Sequence, residues 1–292
     1  MKHCQAIRLG GLTGLALMAA AAVSISGWHL RFAFAADHGP ADHGLRKMVT
    51  TADTRAIPSR AHFPSYVQSA FRVVLRKTDV PVLGPTWIPT PPGWMVRGGA
   101  YAAEVHGSSD MYSISWWCER HPLSVNNAAI AQDTTDPNGD PLISVGGVRY
   151  PTIQRARKAT TLTIPRTAKR VTITSSQTGW IWIARDIKGG QLVPNIAWHE
   201  RGWLVKTSPM LLSTDRRQWT AEAVATAREV ILTVGLQDPS STGTITVDFS
   251  GDGTYVNAKW QRGDVVYSAY STTGVQRALN TIRSLHTVTK TP

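Results

Sequence analysis

The chain has 292 residues, with 31 Lys and Arg against 19 Asp and Glu, and only two cysteines. This length fits one large domain or two small ones, and two cysteines exclude a disulfide-rich scaffold. The formal net charge of +12 suits anionic partners such as wall polymers, lipid headgroups or nucleic acid, and equally suits a solubilising surface.

The first 35 residues predict an export signal. Lys2 and Arg8 precede the apolar run Leu9–Trp28, and Ala33-Phe34-Ala35 matches an A-x-A cleavage site. The run is also long enough to remain as an uncleaved anchor. We therefore expect an exported protein, either secreted or associated with the cell envelope.

Cleavage after Ala35 would leave Cys118 as the only cysteine. One thiol excludes an intramolecular disulfide and a zinc site built from thiolates. We expect Cys118 to be a small buried hydrophobic residue rather than a reactive thiol.

The segment after the signal contains two different patterns. Residues 36–60 lack hydrophobic periodicity and contain several Gly, Pro and Asp residues, which predicts a flexible linker. A short helix is predicted from Ser65 to Lys77. Five prolines between Pro81 and Pro92 then favour a stiff extended segment.

Beyond this point the dominant pattern alternates apolar and polar residues over short stretches separated by Gly, Pro, Asn or Asp. This pattern is typical of strands. Two helical patterns follow strands, at 214–234 and 272–288. The sequence therefore predicts an α+β domain over 61–292, in which helices pack on one face of an antiparallel β-sheet meander.

Five residues support the first of these helical patterns. Ala221, Val224, Ala225, Arg228 and Ile231 recur at helical spacing.

A weak internal repeat relates residues 160–235 to residues 240–292. In each half a strand precedes a second strand that ends at a Trp, and a Gly turn, a third strand and a helix follow. Either duplication or a shared hairpin pattern accounts for this order.

The stretch DFSGDG, which begins at Asp248, resembles the start of a calcium-binding loop. Such a loop needs a bidentate Glu at its twelfth position, where this chain has Lys259. Both flanks alternate as strands do. We therefore interpret 250–253 as a hairpin turn, with a second turn at 261–264, in a three-strand meander.

Catalytic and cofactor motifs are absent from the sequence. It contains no G-x-S-x-G, no H-E-x-x-H and no Walker or dinucleotide glycine pattern. We expect no metal, no cofactor and no assigned catalytic residue. A hydrolase or transferase acting on envelope glycan stays open through carboxylates brought together by the fold, for which the candidates are Glu104, Glu119, Asp186 and Glu200.

Tryptophan and clustered cations supply the candidate ligand-binding residues. Most tryptophans are expected in the core, but Trp87 and Trp94 flank the proline-rich segment and could form a ligand platform. The densest basic cluster contains Arg155, Arg157 and Lys158. Three further cations, Arg166, Lys169 and Arg170, follow it.

Three stretches resemble a known domain family. VPVLGPTWIPTPPGW, together with IAWHERGWLVKTS and the helix WTAEAVATAREVI, is similar to an uncharacterised extracytoplasmic domain of Gram-positive bacteria, found in lipoproteins and on anti-sigma factors. The resemblance covers roughly Pro81–Val234. It implies an exported α+β domain with a sensory or binding role. Only about eight residues precede the apolar run, so no cytoplasmic sigma-binding domain is expected.

These observations predict an exported, non-enzymatic envelope protein that contacts anionic cell-wall or membrane groups. Nucleic acid is not expected as a partner, and the oligomeric state stays open. The alternatives are the glycan-processing enzyme above and a carrier of an apolar ligand, which would have a Trp-lined cavity.

Overall fold

The computed structural model describes residues 63–89, 100–132, 139–185, 192–209, 215–233, 243–250 and 253–288, all within one structural unit, 55–292. The predicted signal segment 1–35 and linker 36–60 lie outside the described residues, as do Trp94 and Asp186. Within the described ranges, no helix is both long and apolar enough to cross a membrane.

The described part of the chain forms twelve strands and four helices. The strands are β1 (Leu83–Pro85), β2 (Ala100–Ser108), β3 (Met111–Glu119), β4 (Ile143–Arg149), β5 (Lys169–Thr172), β6 (Thr178–Arg185), β7 (Leu192–Glu200), β8 (Trp203–Ser208), β9 (Gly243–Ser250), β10 (Gly253–Arg262), β11 (Val265–Ser271) and β12 (Leu285–Thr287). The helices are α1 (Ser65–Val74), α2 (Ile153–Thr160), α3 (Arg216–Thr233) and α4 (Val275–Arg283).

Ten of the strands form one sheet in the order β2-β3-β4-β11-β10-β9-β8-β7-β6-β5, and β1 pairs with β12 separately. Every pair in the large sheet is antiparallel except β8 and β9. The predicted α+β class with an antiparallel sheet is confirmed. The parallel pair was not predicted, and it arises because the chain leaves β8, passes through α3 and returns at β9 in the same direction.

The two faces of the sheet differ in what covers them. Neighbouring residues of a strand point to opposite faces, so Val256, Ala258 and Trp260 of β10 share one face. This face, which we call the core face, packs against α1, α3 and α4 in a single hydrophobic cluster. The opposite face is called the outer face.

The paired tryptophans of β3 confirm this alternation. Trp116 is fully buried in the main core, whereas Trp117 is buried in a separate cluster with Ala102 and Ile130. The two side chains therefore point to opposite faces, as the strand pattern predicts. Cys118 is buried as well, in agreement with its predicted role as a small hydrophobic residue.

The helix predicted at 214–234 is present as α3, and burial varies along it. Ala221, Ala225 and Arg228 are exposed, and Val224 and Ile231 are only partly buried. The buried residues of the helix are Trp219, Ala223, Ala227 and Val230. Val224 and Ile231 also pack against the main core cluster, so the apolar periodicity identifies part of the packed side.

The strand–strand–strand–helix order occurs twice in succession, as β6-β7-β8-α3 and β9-β10-β11-α4. Because β8 and β9 are parallel, the strands of the second unit run in the same directions as those of the first. Both helices contribute to the same core cluster. The two units therefore lie side by side in the sheet in the same orientation.

The predicted meander at 248–270 is confirmed. Ser250 at the end of β9 pairs with Gly253 at the start of β10, so the DFSGDG stretch joins two antiparallel strands. The second turn places Gly263 at φ 61° between β10 and β11, a conformation that glycine adopts without steric cost.

Two buried tyrosines anchor the segment that leads into the sheet. The Leu83 N–H donates to the Tyr112 hydroxyl oxygen at 2.8 Å, and the Tyr267 hydroxyl donates to the Pro81 carbonyl oxygen at 3.1 Å. Gly147 lies between the two rings, and a Cβ there would come within 2.6 Å of the Tyr112 ring. Burial raises the pKa of Tyr112 and also that of Tyr267.

Candidate anion-binding surface

One stretch of the chain contains cations and no acidic residue. Between Pro141 and Arg185 the sequence has no Asp or Glu. Its basic residues are Arg149, Arg155, Arg157, Lys158, Arg166, Lys169, Arg170 and Arg185. The positive charge of the protein is therefore concentrated on β4, α2, β5, β6 and the segments that join them.

Local hydrogen bonds fix both ends of α2. The Arg155 N–H donates to the Thr152 hydroxyl oxygen at 3.2 Å, which caps the first turn. At the other end, the Thr160 and Thr161 hydroxyls donate to the Arg157 carbonyl oxygen at 2.9 and 2.8 Å.

Only one side of α2 packs against the sheet. The buried residues are Ala156 and Thr160, whereas Arg155, Arg157 and Lys158 are exposed. The three predicted basic residues therefore point into solvent from one short helix.

Unlike the other helices, α2 lies on the outer face. It packs against β10 and β11, and the Gln261 side-chain N–H donates to the Ile153 carbonyl oxygen at 2.9 Å. Gln261 follows Trp260, which belongs to the core face, and so it points the other way. Ala156 is accordingly absent from the main core cluster.

The chain crosses the outer face between α2 and β5. β5 forms the far edge of the sheet, five strands from β10, which corresponds to about 24 Å along the sheet. Residues 161–168 join the two and can span at most about 29 Å. A direct path over the outer face fits this reach. Ala197 also points to that face and is fully buried, as expected beneath such a crossing segment.

Alternation gives this crossing segment one polar side. Leu162 and Ile164 are partly buried, whereas Thr161 and Thr163 are exposed. The exposed side continues the helix surface into a shallow, open depression of about 420 Å³, lined by Gln154, Arg157, Lys158, Thr161 and Thr163. The lining combines two cations with amide and hydroxyl groups, which together can donate hydrogen bonds to an anion.

At the far edge of the sheet, an aromatic ring holds Arg170. Its guanidinium carbon lies 4.5 Å from the centroid of the Trp180 ring, within the range of a cation–π interaction. His199 meets the same ring edge-on, with 5.6 Å between centroids. Trp180 pairs with Ala197, so this cluster belongs to the outer face.

We call five of the exposed cations of this region the basic strip. It runs from α2 over the crossing segment to β5 and contains Arg155, Arg157, Lys158, Arg166 and Arg170. Among the described residues, no carboxylate forms an ion pair with any of them. By contrast, Arg149 pairs with Asp264 at 3.6 Å. The cations of the strip are therefore available to an external anion.

The structure does not bring the predicted tryptophan platform to this strip. Trp87 is 38% exposed, and its backbone N–H donates to the Ser284 hydroxyl oxygen at 3.3 Å, next to the end of α4. Because α4 packs on the core face, the sheet separates Trp87 from α2. Trp94 lies outside the described residues.

The three candidate carboxylates that the structure describes, Glu104, Glu119 and Glu200, do not form a pair. Glu104 lies on the outer face of β2, with His106 3.0 Å from it. Glu200 lies on β7, which is seven strands from β2 in the sheet, and it points to the core face, as Trp198 does. Glu119 is buried at the end of β3. It pairs with Ala100, which lies four residues before Glu104 on β2. Glycoside hydrolysis needs two carboxyl groups within roughly 5–9 Å, which none of these pairings provides.

The described residues also contain no group of three His, Cys, Asp or Glu side chains placed to hold a metal ion. The depression beside α2 has no tryptophan in its lining, and so it differs from the Trp-lined cavity expected of an apolar-ligand carrier.

Sequence reasoning found the cations of the strip but missed the helix and the polar groups that accompany them. Two signals were present. Thr152, after Pro151, is a helix N-cap residue. Alternation over 161–164 marks an extended segment with one polar side. Neither signal shows where the segment passes over the sheet.

No family model, curated protein or solved structure matches this chain. The resemblance to the extracytoplasmic domain family therefore stays a prediction.

Proposed function

We propose that this protein is an exported, non-enzymatic component of the cell envelope that binds an anionic polymer through its basic strip. The observation that carries the proposal is the charge distribution on the outer face, where five exposed cations lie on an acid-free stretch of chain. The signal-like N-terminus supports the export part of the proposal.

Unpaired surface cations attract a polyanion at long range. Each exposed charge contributes little by itself, but charges of one sign on a common surface add to a local positive potential. Salt at physiological concentration screens such charges beyond about 8 Å. Binding through the basic strip should therefore weaken steeply as ionic strength rises.

Some of these cations also have structural roles. Arg157 and Lys158 lie in the last turn of α2, where cations interact favourably with the helix dipole. Arg170 lies on a short edge strand, where charge discourages edge-to-edge association. Neither role accounts for the absence of acidic residues over 45 residues, whereas that absence strengthens a positive surface that binds a polyanion.

The test compares two charge variants of the exported chain, 36–292. R157Q/K158Q removes two charges from the strip, and R72Q/R76Q removes two exposed charges near the end of α1, on the other side of the sheet. Retention on purified cell-envelope material should fall about fivefold for R157Q/K158Q, from about 0.5 kcal/mol per exposed contact, and stay unchanged for R72Q/R76Q.

The same assay is repeated over a range of salt concentrations. Retention that is independent of salt, or an equal loss in both variants, would contradict the proposal.

A further inference from the structure

The cations of the basic strip are divided between two ends. Arg155, Arg157 and Lys158 occupy α2 over β10 and β11, and Arg170 lies on β5 at the edge of the sheet. About 24 Å of sheet separates β10 from β5. One small anion cannot contact both ends.

Polar groups occupy the space between the two ends. Thr161 and Thr163 present their side chains to solvent, and Arg166 follows on the same crossing segment. Their hydroxyl and guanidinium groups are hydrogen-bond donors. A linear polyanion that lies along the crossing segment would therefore find hydrogen-bond donors along its whole length.

The far end is positioned before any ligand binds. Trp180 holds the Arg170 guanidinium against its face, and His199 supports the ring from the neighbouring strand. A long side chain that is already fixed loses less conformational entropy when a ligand binds. Arg170 is therefore suited to act as a fixed second contact, not merely as a solvated charge.

Two features indicate the chemistry of the ligand. Four of the five cations in the strip are arginines. The planar fork of arginine matches the oxygen geometry of carboxylate and of phosphate, and arginine is favoured in phosphate recognition. Only one large apolar side chain, Ile153, is strongly exposed on α2. A membrane-binding helix would present a broader apolar face to the acyl region, so a soluble polymer fits better than a bilayer.

We infer that the ligand is a linear polymer with phosphate in its repeating unit, bound lengthwise along the strip from α2 to β5. The inference rests on the proposed function and adds the ligand class and the minimum length. Contacts at both ends of one chain make the second contact intramolecular. The affinity should therefore rise with chain length until the chain spans the strip.

Linear inorganic polyphosphate provides a defined probe. The affinity of the exported chain for oligomers shorter and longer than about 24 Å, and for orthophosphate, is measured at one salt concentration. We expect oligomers longer than this length to bind at least about tenfold more tightly, per polyphosphate chain, than shorter ones. Once an oligomer spans the strip, further lengthening should add little affinity. Affinity per phosphate that is independent of chain length would overturn the inference.

Two variants divide the strip. R166Q/R170Q should lower the affinity for long chains about as much as R157Q/K158Q does, while only R157Q/K158Q weakens the short chains that occupy the depression. R72Q/R76Q is the control for net charge, and circular dichroism checks that each variant is folded. If R157Q/K158Q acts but R166Q/R170Q does not, the lengthwise inference fails and the proposed function stands. If neither variant acts, both fail.

Two further ligands test the chemistry. Polyglutamate of matched charge and length should bind more weakly than polyphosphate, and tighter binding would overturn the phosphate assignment. Vesicles with anionic lipid should bind more weakly than long polyphosphate at equal phosphate concentration. Tighter binding to vesicles, lost in R157Q/K158Q, would assign the strip to a membrane surface instead.

Discussion

The two faces of the ten-stranded sheet are built from alternate residues of the same strands, yet they differ in chemistry. On β7, Ile196 and Trp198 are buried in the main core, while His199 is exposed and contacts the Trp180 ring. The core face buries large apolar side chains beneath three helices. The outer face carries the short helix α2, the crossing segment with exposed cations, and a small separate cluster around Trp117. We therefore expect changes on the core face to alter stability, and changes on the basic strip to alter binding.

The largest expected effect is on the core face. Trp198 is fully buried, and W198A would leave a cavity that the surrounding sheet and helices cannot fill. We expect a loss of about 3–5 kcal/mol in the free energy of unfolding, measured by urea denaturation. W87A, at an exposed tryptophan, is the matched control and should change it by less than about 1 kcal/mol. Similar losses in both variants would contradict the assignment of the core face.

The buried tyrosines give the next largest effect, which depends on pH. Burial raises the pKa of Tyr112 above its usual value of 10.0. Partial burial also raises the pKa of Tyr101, on β2, to about 12. The folded state therefore retains protons that the unfolded state loses above pH 10, so stability is full below that pH and falls as pH rises further. Above pH 10, we expect Tyr112 to lower the free energy of unfolding by about 1 kcal/mol per pH unit. The half-exposed Tyr101 should lower it by less, because solvent screens its environment.

Y112F separates this effect from the loss of a hydrogen bond. The variant cannot accept from the Leu83 N–H, which should lower stability at every pH by about 1 kcal/mol. It should also lose stability less steeply above pH 10 than the parent chain. The free energy of unfolding of both proteins is measured by urea denaturation from pH 8 to 11. If it falls equally steeply with pH in both, Tyr112 does not titrate with unfolding.

The smallest expected effect on stability is on the basic strip. R157Q/K158Q removes two exposed cations and leaves the buried Ala156 and Thr160 in place. We expect the free energy of unfolding to change by less than about 1 kcal/mol, since only the interaction with the helix dipole is lost. A larger loss by thermal or urea denaturation would indicate that these cations hold the crossing segment on the sheet.

The strands and hairpins could be predicted because their signals are local. Alternation marked the pairs around 250–253 and 261–264, and Lys259 at the position of the bidentate Glu excluded a calcium loop. On α3, helical spacing identified Val224 and Ile231, which pack against the core, but not the buried Ala223 and Ala227, because alanine carries a weak apolar signal.

The candidate site was only half predictable. Its cations are adjacent in sequence, so Arg155, Arg157 and Lys158 were found together. The path of residues 161–168 depends on the position of β5 at the far edge of the sheet, which is set by long-range pairing and leaves no local pattern. The distance between Arg170 and α2, and hence the length of the strip, follows from that pairing alone.

Hydrogen–deuterium exchange with and without long-chain polyphosphate tests the central claim most directly. Residues 153–172 include α2, the crossing segment and β5, and residues 65–77 include α1 and its exposed cations as an internal control. Binding along the strip predicts slower exchange throughout 153–172 and no change in 65–77. Slower exchange confined to α1 or to the region around Trp87, with 153–172 unaffected, would contradict the account.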